Sequence, residues 1–183
     1  MRKPLFAFIL AAAALAQPRA DEAARLESQL KQTPEDANSR SQLIRLYFRD
    51  PQKTQIRAQH ILWFVAHQPD AAVLAEPSAT VNGPGEDYEH LKRAWLSKIG
   101  EPRATASTFS KAANFFRPTE PDRSIALLEK ARSMEPQNWM WVAQLGQMYA
   151  FRLSGITGLN QNGLPVAVDP AKAQTREVAD LKS

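Results

Sequence analysis

Apolar residues recur at helical spacing along most of the chain, with polar residues between them. The clearest stretch follows Asn138 and places its apolar residues at i, i+4, i+7 and i+8, which is one face of a helix. These residues are Trp141, Leu145, Met148 and Tyr149. An upstream stretch has the same kind of face, formed by Phe109, Ala112, Ala113 and Phe116. The pattern predicts an all-α fold.

Four prolines divide the chain at nearly constant intervals. Pro34, Pro69, Pro102 and Pro136 follow one another after 35, 33 and 34 residues, and each comes after an amphipathic stretch. Proline cannot continue a helix, and it disfavours helical conformation in the residue before it. The spacing therefore predicts a repeat of paired helices about 34 residues long.

Two repeats depart from this plan. Between Pro69 and Pro102, prolines and glycines crowd residues 70–87, so the sequence predicts a short helical turn, a loop, and a full helix only over about residues 88–99. In the last repeat, glycines and Pro165 predict a loop over residues 153–169. Two Asp-Pro pairs, Asp50-Pro51 and Asp169-Pro170, predict helix starts, because aspartate is a good N-cap and proline suits the first helical position.

The strongest repeat resembles the tetratricopeptide-repeat family. Leu145-Gly146 followed by Tyr149 resembles the family's first-helix motif, and Ala131, five residues before Pro136, resembles the end of its second helix. The resemblance implies a right-handed α-solenoid of about 3.5–4 helical hairpins with a degenerate second unit. It covers residues 17–183, with the best-matching repeats at 104–183 and weaker ones at 21–102.

In that family, the first helices of the hairpins line a concave groove that holds a peptide. Position by position, the resemblance implies a partner-binding groove formed by Ser41, Arg45, Phe48, Arg49, Asn114, Arg117, Gln147 and Phe151. The lysine and asparagine with which some family members grip chaperone tails are replaced here by Ser41 and Arg45. The resemblance therefore favours a peptide or protein partner other than a chaperone tail.

The first 16 residues predict a secretory signal. A basic Arg2-Lys3 start is followed by an apolar run from Leu5 to Ala16, whose end has the small residues that a signal peptidase requires. The run is shorter than the roughly 20 residues of a membrane span. We therefore expect an exported protein, periplasmic or secreted, without an integral membrane segment after cleavage; an uncleaved anchor is the alternative.

Charge and candidate chemistry add little to this picture. The net charge of +4 is spread over intermixed basic and acidic residues, which does not favour a nucleic-acid partner. His60, His67 and His90 lack a metal-ligand spacing, no serine lies in a GxSxG motif, and there is no cysteine. We expect no catalytic residue, no metal and no cofactor.

The sequence thus predicts a non-enzymatic interaction or scaffold module that binds a peptide or protein outside the cytoplasm. Two alternatives stay open. One is an accessory domain or subunit of an exported enzyme that works through residues 153–169. The other is a module for envelope assembly at the membrane surface.

Overall fold

The computed structural model describes residues 6–81, 83, 85–153, 156–159 and 165–167, with side chains between residues 19 and 150 of those ranges. The helices are α1 (Phe6–Gln32), α2 (Ala37–Tyr47), α3 (Thr54–His67), α4 (Glu86–Ile99), α5 (Ala106–Phe116), α6 (Pro121–Met134) and α7 (Trp139–Leu153). Three short 3-10 helices span Pro51–Lys53, Ala72–Ala75 and Pro77–Ala79. Helices carry most of the described structure, so the expected all-α class is confirmed.

The chain divides into two compact units, Met1–Ile61 and Leu62–Ser183, and the boundary falls inside α3. The first unit contains α1, α2 and the first half of α3. The second contains the rest of α3 and the elements that follow it.

The helix ends predicted from the four prolines are confirmed. Helices α1, α3, α4 and α6 end at Gln32, His67, Ile99 and Met134, two or three residues before Pro34, Pro69, Pro102 and Pro136. The Asp50-Pro51 start is confirmed too. The Asp50 carboxylate accepts a hydrogen bond of 2.9 Å from the Gln52 backbone N–H and caps the 3-10 turn that leads into α3.

In the first unit, α1 packs against α2. Leu26, Leu43 and Tyr47 form the buried centre, and partly buried apolar side chains surround them. Asp36 begins α2 as its N-cap, because its carboxylate accepts hydrogen bonds from the backbone N–H groups of Asn38 and Ser39. Local capping and an apolar helix face together fix this pair.

In the second unit, α5 packs against both α4 and α6, and α6 packs against α7. Aromatic rings fill the space between α4 and α5: the Tyr88 and Phe115 rings stack with centroids 5.1 Å apart, and Trp95 is fully buried. A smaller cluster of Ala106, Ala131 and Trp141 ties α5, α6 and α7 together. These contacts place one face of α5 beside α6 and α7.

The elements between Pro69 and Pro102 are close to those predicted. Two 3-10 turns, Ala72–Ala75 and Pro77–Ala79, replace a full first helix, and α4 begins at Glu86, close to the predicted start. The Ala72–Ala75 turn packs against α5. Asp70 accepts a hydrogen bond of 2.6 Å from the Thr108 hydroxyl in the capping box at the start of α5. This short segment, in which Val73 and Leu74 are buried, is thus held on α5.

A β-hairpin lies where the sequence predicted a loop. Strands β1 (Ile156–Leu159) and β2 (Pro165–Ala167) pair antiparallel, with Ile156 opposite Ala167 and an irregularity between Ile156 and Gly158. β-Branched residues such as Ile156 and Val166 favour extended backbone, and this preference accounts for strands in a segment rich in turn residues. The prediction of a loop was wrong for these seven residues.

At the N-terminus, α1 runs without a break from Phe6 through the predicted cleavage point after Ala16 to Gln32. Among the residues that the structure describes, no helix combines the length and apolarity that crossing a membrane requires. Residues 1–5 of the predicted signal lie outside the described residues, as does the predicted helix start at Asp169-Pro170.

Candidate functional site

A cavity of about 180 Å³ lies in the second unit between α5, α6, α7 and the Ala72–Ala75 turn. We call it the α5–α7 pocket. Its described lining residues are Ala75, Ser110, Ala113, Asn114, Arg117, Ser124, Leu128, Gln144, Gln147 and Met148. Three predicted groove residues, Asn114, Arg117 and Gln147, are therefore brought together around one cavity.

Serine hydroxyl groups bind the three helices to one another around the pocket. Ser124 of α6 is buried and donates a hydrogen bond of 2.8 Å to the backbone carbonyl of Ala113 in α5. Ser110 of α5 donates one of 3.0 Å to the Gln144 side-chain oxygen of α7. Ser110 and Gln144 lie 34 residues apart, the interval of the proline repeat. Residues at the same offset from Pro102 and Pro136 are therefore in contact.

Asn114 is 9% exposed, and its side chain is used inside the protein. The amide nitrogen donates hydrogen bonds to the backbone carbonyls of Leu74, at 2.9 Å, and Glu76, at 3.4 Å. The amide oxygen accepts a hydrogen bond from the Arg117 guanidinium. Asn114 therefore lines the pocket while holding the degenerate segment, an internal role that the groove prediction did not include.

Arg117 follows the last residue of α5 and is half-buried. Burial lowers the pKa of its guanidinium. Arginine stays protonated in proteins even so, which leaves a positive charge at the pocket wall. Among the described residues, none that line the pocket is acidic, and none of the acidic groups pairs with Arg117. Within the described part of the chain, the charge is therefore met only by the neutral amide of Asn114.

The glutamines of α7 complete the polar wall. Gln144 is half-buried, and its side-chain oxygen is occupied by Ser110. Gln147, one turn further on, is exposed at the rim. The apolar part of the lining includes Leu128 and Met148, which are both buried. The pocket thus combines one cation, amide donors and an apolar side.

The four groove residues predicted in the first unit lie outside this pocket lining. Ser41 donates to the Ala37 carbonyl at 2.9 Å, and the guanidinium of Arg57 lies over the Phe48 ring at 5.5 Å. Arg45 and Arg49 are exposed. Of the predicted α7 residues, Gln147 lines the pocket, whereas the Phe151 side chain lies outside the described residues.

Each of the three histidines lies beside another side chain of the protein. His60 is buried, and this burial, followed by the nearby Arg40 charge, lowers its pKa to about 4. His67 is exposed and stacks on Trp63, and His90 lies 4.0 Å from the exposed Glu86 carboxylate. In the described part of the chain, no group of three potential ligands is placed to hold a metal ion.

Sequence reasoning did not identify Ser110, Ser124 and Gln144 as pocket residues. Two of them had a detectable signal: Ser110 and Gln144 occupy the same position relative to Pro102 and Pro136. Ser124 had none, because its partner is a backbone carbonyl, which no sequence pattern marks.

No protein-family model, no curated protein sequence and no solved structure matches the chain. The functional assignment therefore depends on the geometry of the described residues.

Proposed function

We propose that the chain is a non-enzymatic interaction module of the tetratricopeptide-repeat type, in which the α5–α7 pocket receives part of a peptide or protein partner. The observation that carries this proposal is the contact between Ser110 and Gln144, which lie one repeat apart at 3.0 Å. Side-by-side packing of successive first helices is the arrangement that generates a groove in a right-handed α-solenoid.

The size of the pocket supports a macromolecular partner over a free small molecule. Small-molecule sites usually enclose about 300–1,000 Å³. The α5–α7 pocket has about 180 Å³, which suits a single side chain or chain end. Exposed Gln147 at its rim would then contact the rest of the partner.

The N-terminal sequence supports a location outside the cytoplasm. Arg2-Lys3, the apolar run to Ala16 and the small residues at its end are the features of a secretory signal. We propose that the module meets its partner in the periplasm or the medium.

One observation favours a second candidate function, assembly at the envelope or membrane surface. Large apolar side chains are exposed at the start of α7, with Trp139 at 74% and both Met140 and Val142 near half. Exposed apolar patches commonly mark interaction sites. Salt-insensitive co-sedimentation with lipid vesicles, lost in Trp139→Ser, would support this second function.

A blocking substitution tests the proposed function. Gln147→Trp places a large side chain at the pocket rim, where the exposed wild-type residue can be replaced without disturbing the core. Ala143→Trp is the matched control, since Ala143 is exposed on the same helix and does not belong to the described pocket lining.

Both variants and the wild type are used to capture partners from an envelope extract, and any captured protein is purified and titrated directly. We expect Gln147→Trp to lose the partner and Ala143→Trp to keep it. Equal affinity of the two variants would show that the pocket does not receive the partner.

A further inference from the structure

The first unit contains a buried histidine ring that is held in one neutral form. Arg40 of α2 donates from Nη1 to Nδ1 of His60 at 3.2 Å, because a guanidinium has no acceptor of its own. Nδ1 therefore carries the lone pair, and the proton of the neutral ring is on Nε2. Nε2 is buried and makes no hydrogen bond with any described residue. A second proton would have to enter between Nδ1 and Arg40.

The same ring attaches the start of α3 to α2. His60 accepts the hydrogen bond from Arg40, and its ring stacks on the Tyr47 ring with centroids 6.4 Å apart. One turn earlier, the buried Arg57 guanidinium lies over the Phe48 ring at 5.5 Å. Polar and aromatic contacts of α3 thus meet α2 along one edge, and His60 provides two of them.

Charged and titratable groups reach this contact from α1, α2, α3 and the turns between them. They are Arg40 and Tyr47 of α2, Glu27 of α1, Arg57 of α3, Glu35 near Arg40, and Lys53 and Asp50 near Tyr47. The Glu27 carboxylate accepts a hydrogen bond from the Tyr47 hydroxyl and attracts a proton to the ring. Arg40 opposes the proton in direct contact, and its influence on the ring is the larger of the two.

We infer that His60 is an acid-sensitive switch: the neutral ring holds residues 54–61 of α3 on α2, and a second proton on the ring releases them. In the attached form, the new Nδ1–H would point at the Arg40 guanidinium, and Nε2–H would still lack an acceptor among the described residues. Burial of a charge without a partner of opposite sign is strongly unfavourable. A ring exposed to water accepts the proton without this penalty.

The pH range of the switch follows from the two states of the ring. Burial, and then the charge of Arg40, lowers the pKa of His60 from 6.5 to about 4. Above pH 6.5 the ring is neutral in both states, so the attached form has its full stability. Between pH 6.5 and about 4 the released form binds more protons, and the ratio of released to attached chains should rise up to about tenfold per pH unit. The switch lies in the first unit, so it is independent of the α5–α7 pocket.

Two measurements on the isotope-labelled full chain test the inference. Long-range ¹⁵N–¹H NMR spectra of the histidine rings should show His60 as the Nε2–H tautomer at neutral pH. Amide hydrogen exchange, corrected for the intrinsic exchange rate at each pH, reports local opening. From pH 6.5 to 4, protection over residues 54–61 should fall by up to about two orders of magnitude. Protection in α5 and α6, which belong to the second unit, should fall by much less.

Two variants assign the pH response to the ring and to its partner. His60→Gln offers Arg40 a neutral acceptor and should remove the pH dependence of exchange over residues 54–61. Arg40→Gln keeps a donor for Nδ1 without the charge and should reduce that dependence. His67→Gln is the matched control, because His67 is exposed on the same helix, and it should leave the dependence unchanged.

Four results would overturn the inference. They are an Nδ1–H tautomer of His60, protection over residues 54–61 that does not change between pH 6.5 and 4, an unchanged pH response in His60→Gln, and equal losses of protection in both units. Unfolding curves establish that the variants fold. The tautomer and exchange results on the wild-type chain decide the inference even where a variant does not fold.

Discussion

Two half-buried arginines, one in each compact unit, show how the same side chain can serve structure or binding. Arg40, in the first unit, donates from Nε and Nη2 to the Pro34 carbonyl, at 3.2 and 2.7 Å, and from Nη1 to Nδ1 of His60 at 3.2 Å. Arg117, in the second unit, has Asn114 as its one acceptor among the described residues and lines a cavity. Burial lowers the pKa of both guanidinium groups. The two arginines differ in the hydrogen-bond acceptors around them: Arg40 has two among the described residues, and Arg117 has one.

The comparison shows that burial alone does not distinguish a structural arginine from a binding one. The number of hydrogen-bond acceptors around the guanidinium does distinguish them. Arg40 joins a helix end to α3 and is satisfied there. Arg117 retains donors that face open volume, so a partner can complete its hydrogen bonding. The following predictions test this contrast.

The largest effect on the free energy of unfolding should come from His60, which accepts a hydrogen bond from Arg40. Its pKa falls from 6.5 to about 4 through burial and then the Arg40 charge, with an opposing influence of Glu27. Because the folded state disfavours protonation, the unfolded state binds more protons between about pH 4 and 6.5. Stability should therefore fall by about 2–3 kcal/mol as the pH is lowered through that window.

Urea unfolding at several pH values measures this effect. His60→Gln, which keeps a side-chain acceptor within reach of Arg40, should flatten the dependence. His90→Gln replaces an exposed histidine and should leave it intact. An unchanged pH dependence in His60→Gln would refute the assignment.

The next largest effect on stability should come from Asn114, whose amide oxygen is the only described acceptor of Arg117. Asn114→Ala should destabilise the second unit by about 2 kcal/mol, because the Leu74 carbonyl loses its buried donor. Amide hydrogen exchange should also accelerate in the segment around residues 72–79. Ser133→Ala, an exposed hydroxyl that donates only to a local helix carbonyl, is the control for a hydrogen bond of little consequence. Equal losses in both variants would contradict the internal role of Asn114.

The smallest effects on stability should distinguish Arg40 from Arg117. Arg40→Gln should cost about 1 kcal/mol of stability, since it gives up several hydrogen bonds. Arg117→Gln should change stability by less than about 0.5 kcal/mol, because a desolvated charge without a carboxylate contributes little to the fold. Denaturant midpoints of the two variants measure the difference. A larger loss in Arg117→Gln would assign Arg117 a structural role and remove the contrast.

Local chemistry explains which parts of the fold could be predicted. Pro102 and Pro136 end helices by their own covalent geometry, and Asp50 caps through the next residues, so each feature is contained in a few adjacent positions. Trp139 comes soon after Pro136 and precedes the apolar face of α7, a position from which exposure can be predicted, and it is 74% exposed.

The remaining features depend on residues distant in sequence. The resemblance to the tetratricopeptide repeat implied a groove position for Asn114, yet it could not show that the carbonyls of Leu74 and Glu76, about 40 residues earlier, would occupy its amide. The paired strands Ile156–Leu159 and Pro165–Ala167 were missed for a related reason, because each strand is specified by pairing with the other and not by its own short sequence. For the pocket, the sequence supplied candidate residues but not their partners.

A cross-linking measurement tests most directly whether first helices one repeat apart pack side by side around the pocket. The chain contains no cysteine, so paired cysteine substitutions report on a single distance. Ser110→Cys with Gln144→Cys should be joined by dibromobimane, a reagent that bridges two thiols a few ångströms apart, because the two wild-type side chains meet at 3.0 Å across α5 and α7. Ser110→Cys with Ala143→Cys, whose second site is exposed on α7, should remain unlinked. Equal cross-linking of the two pairs, or none in the first, would contradict the account.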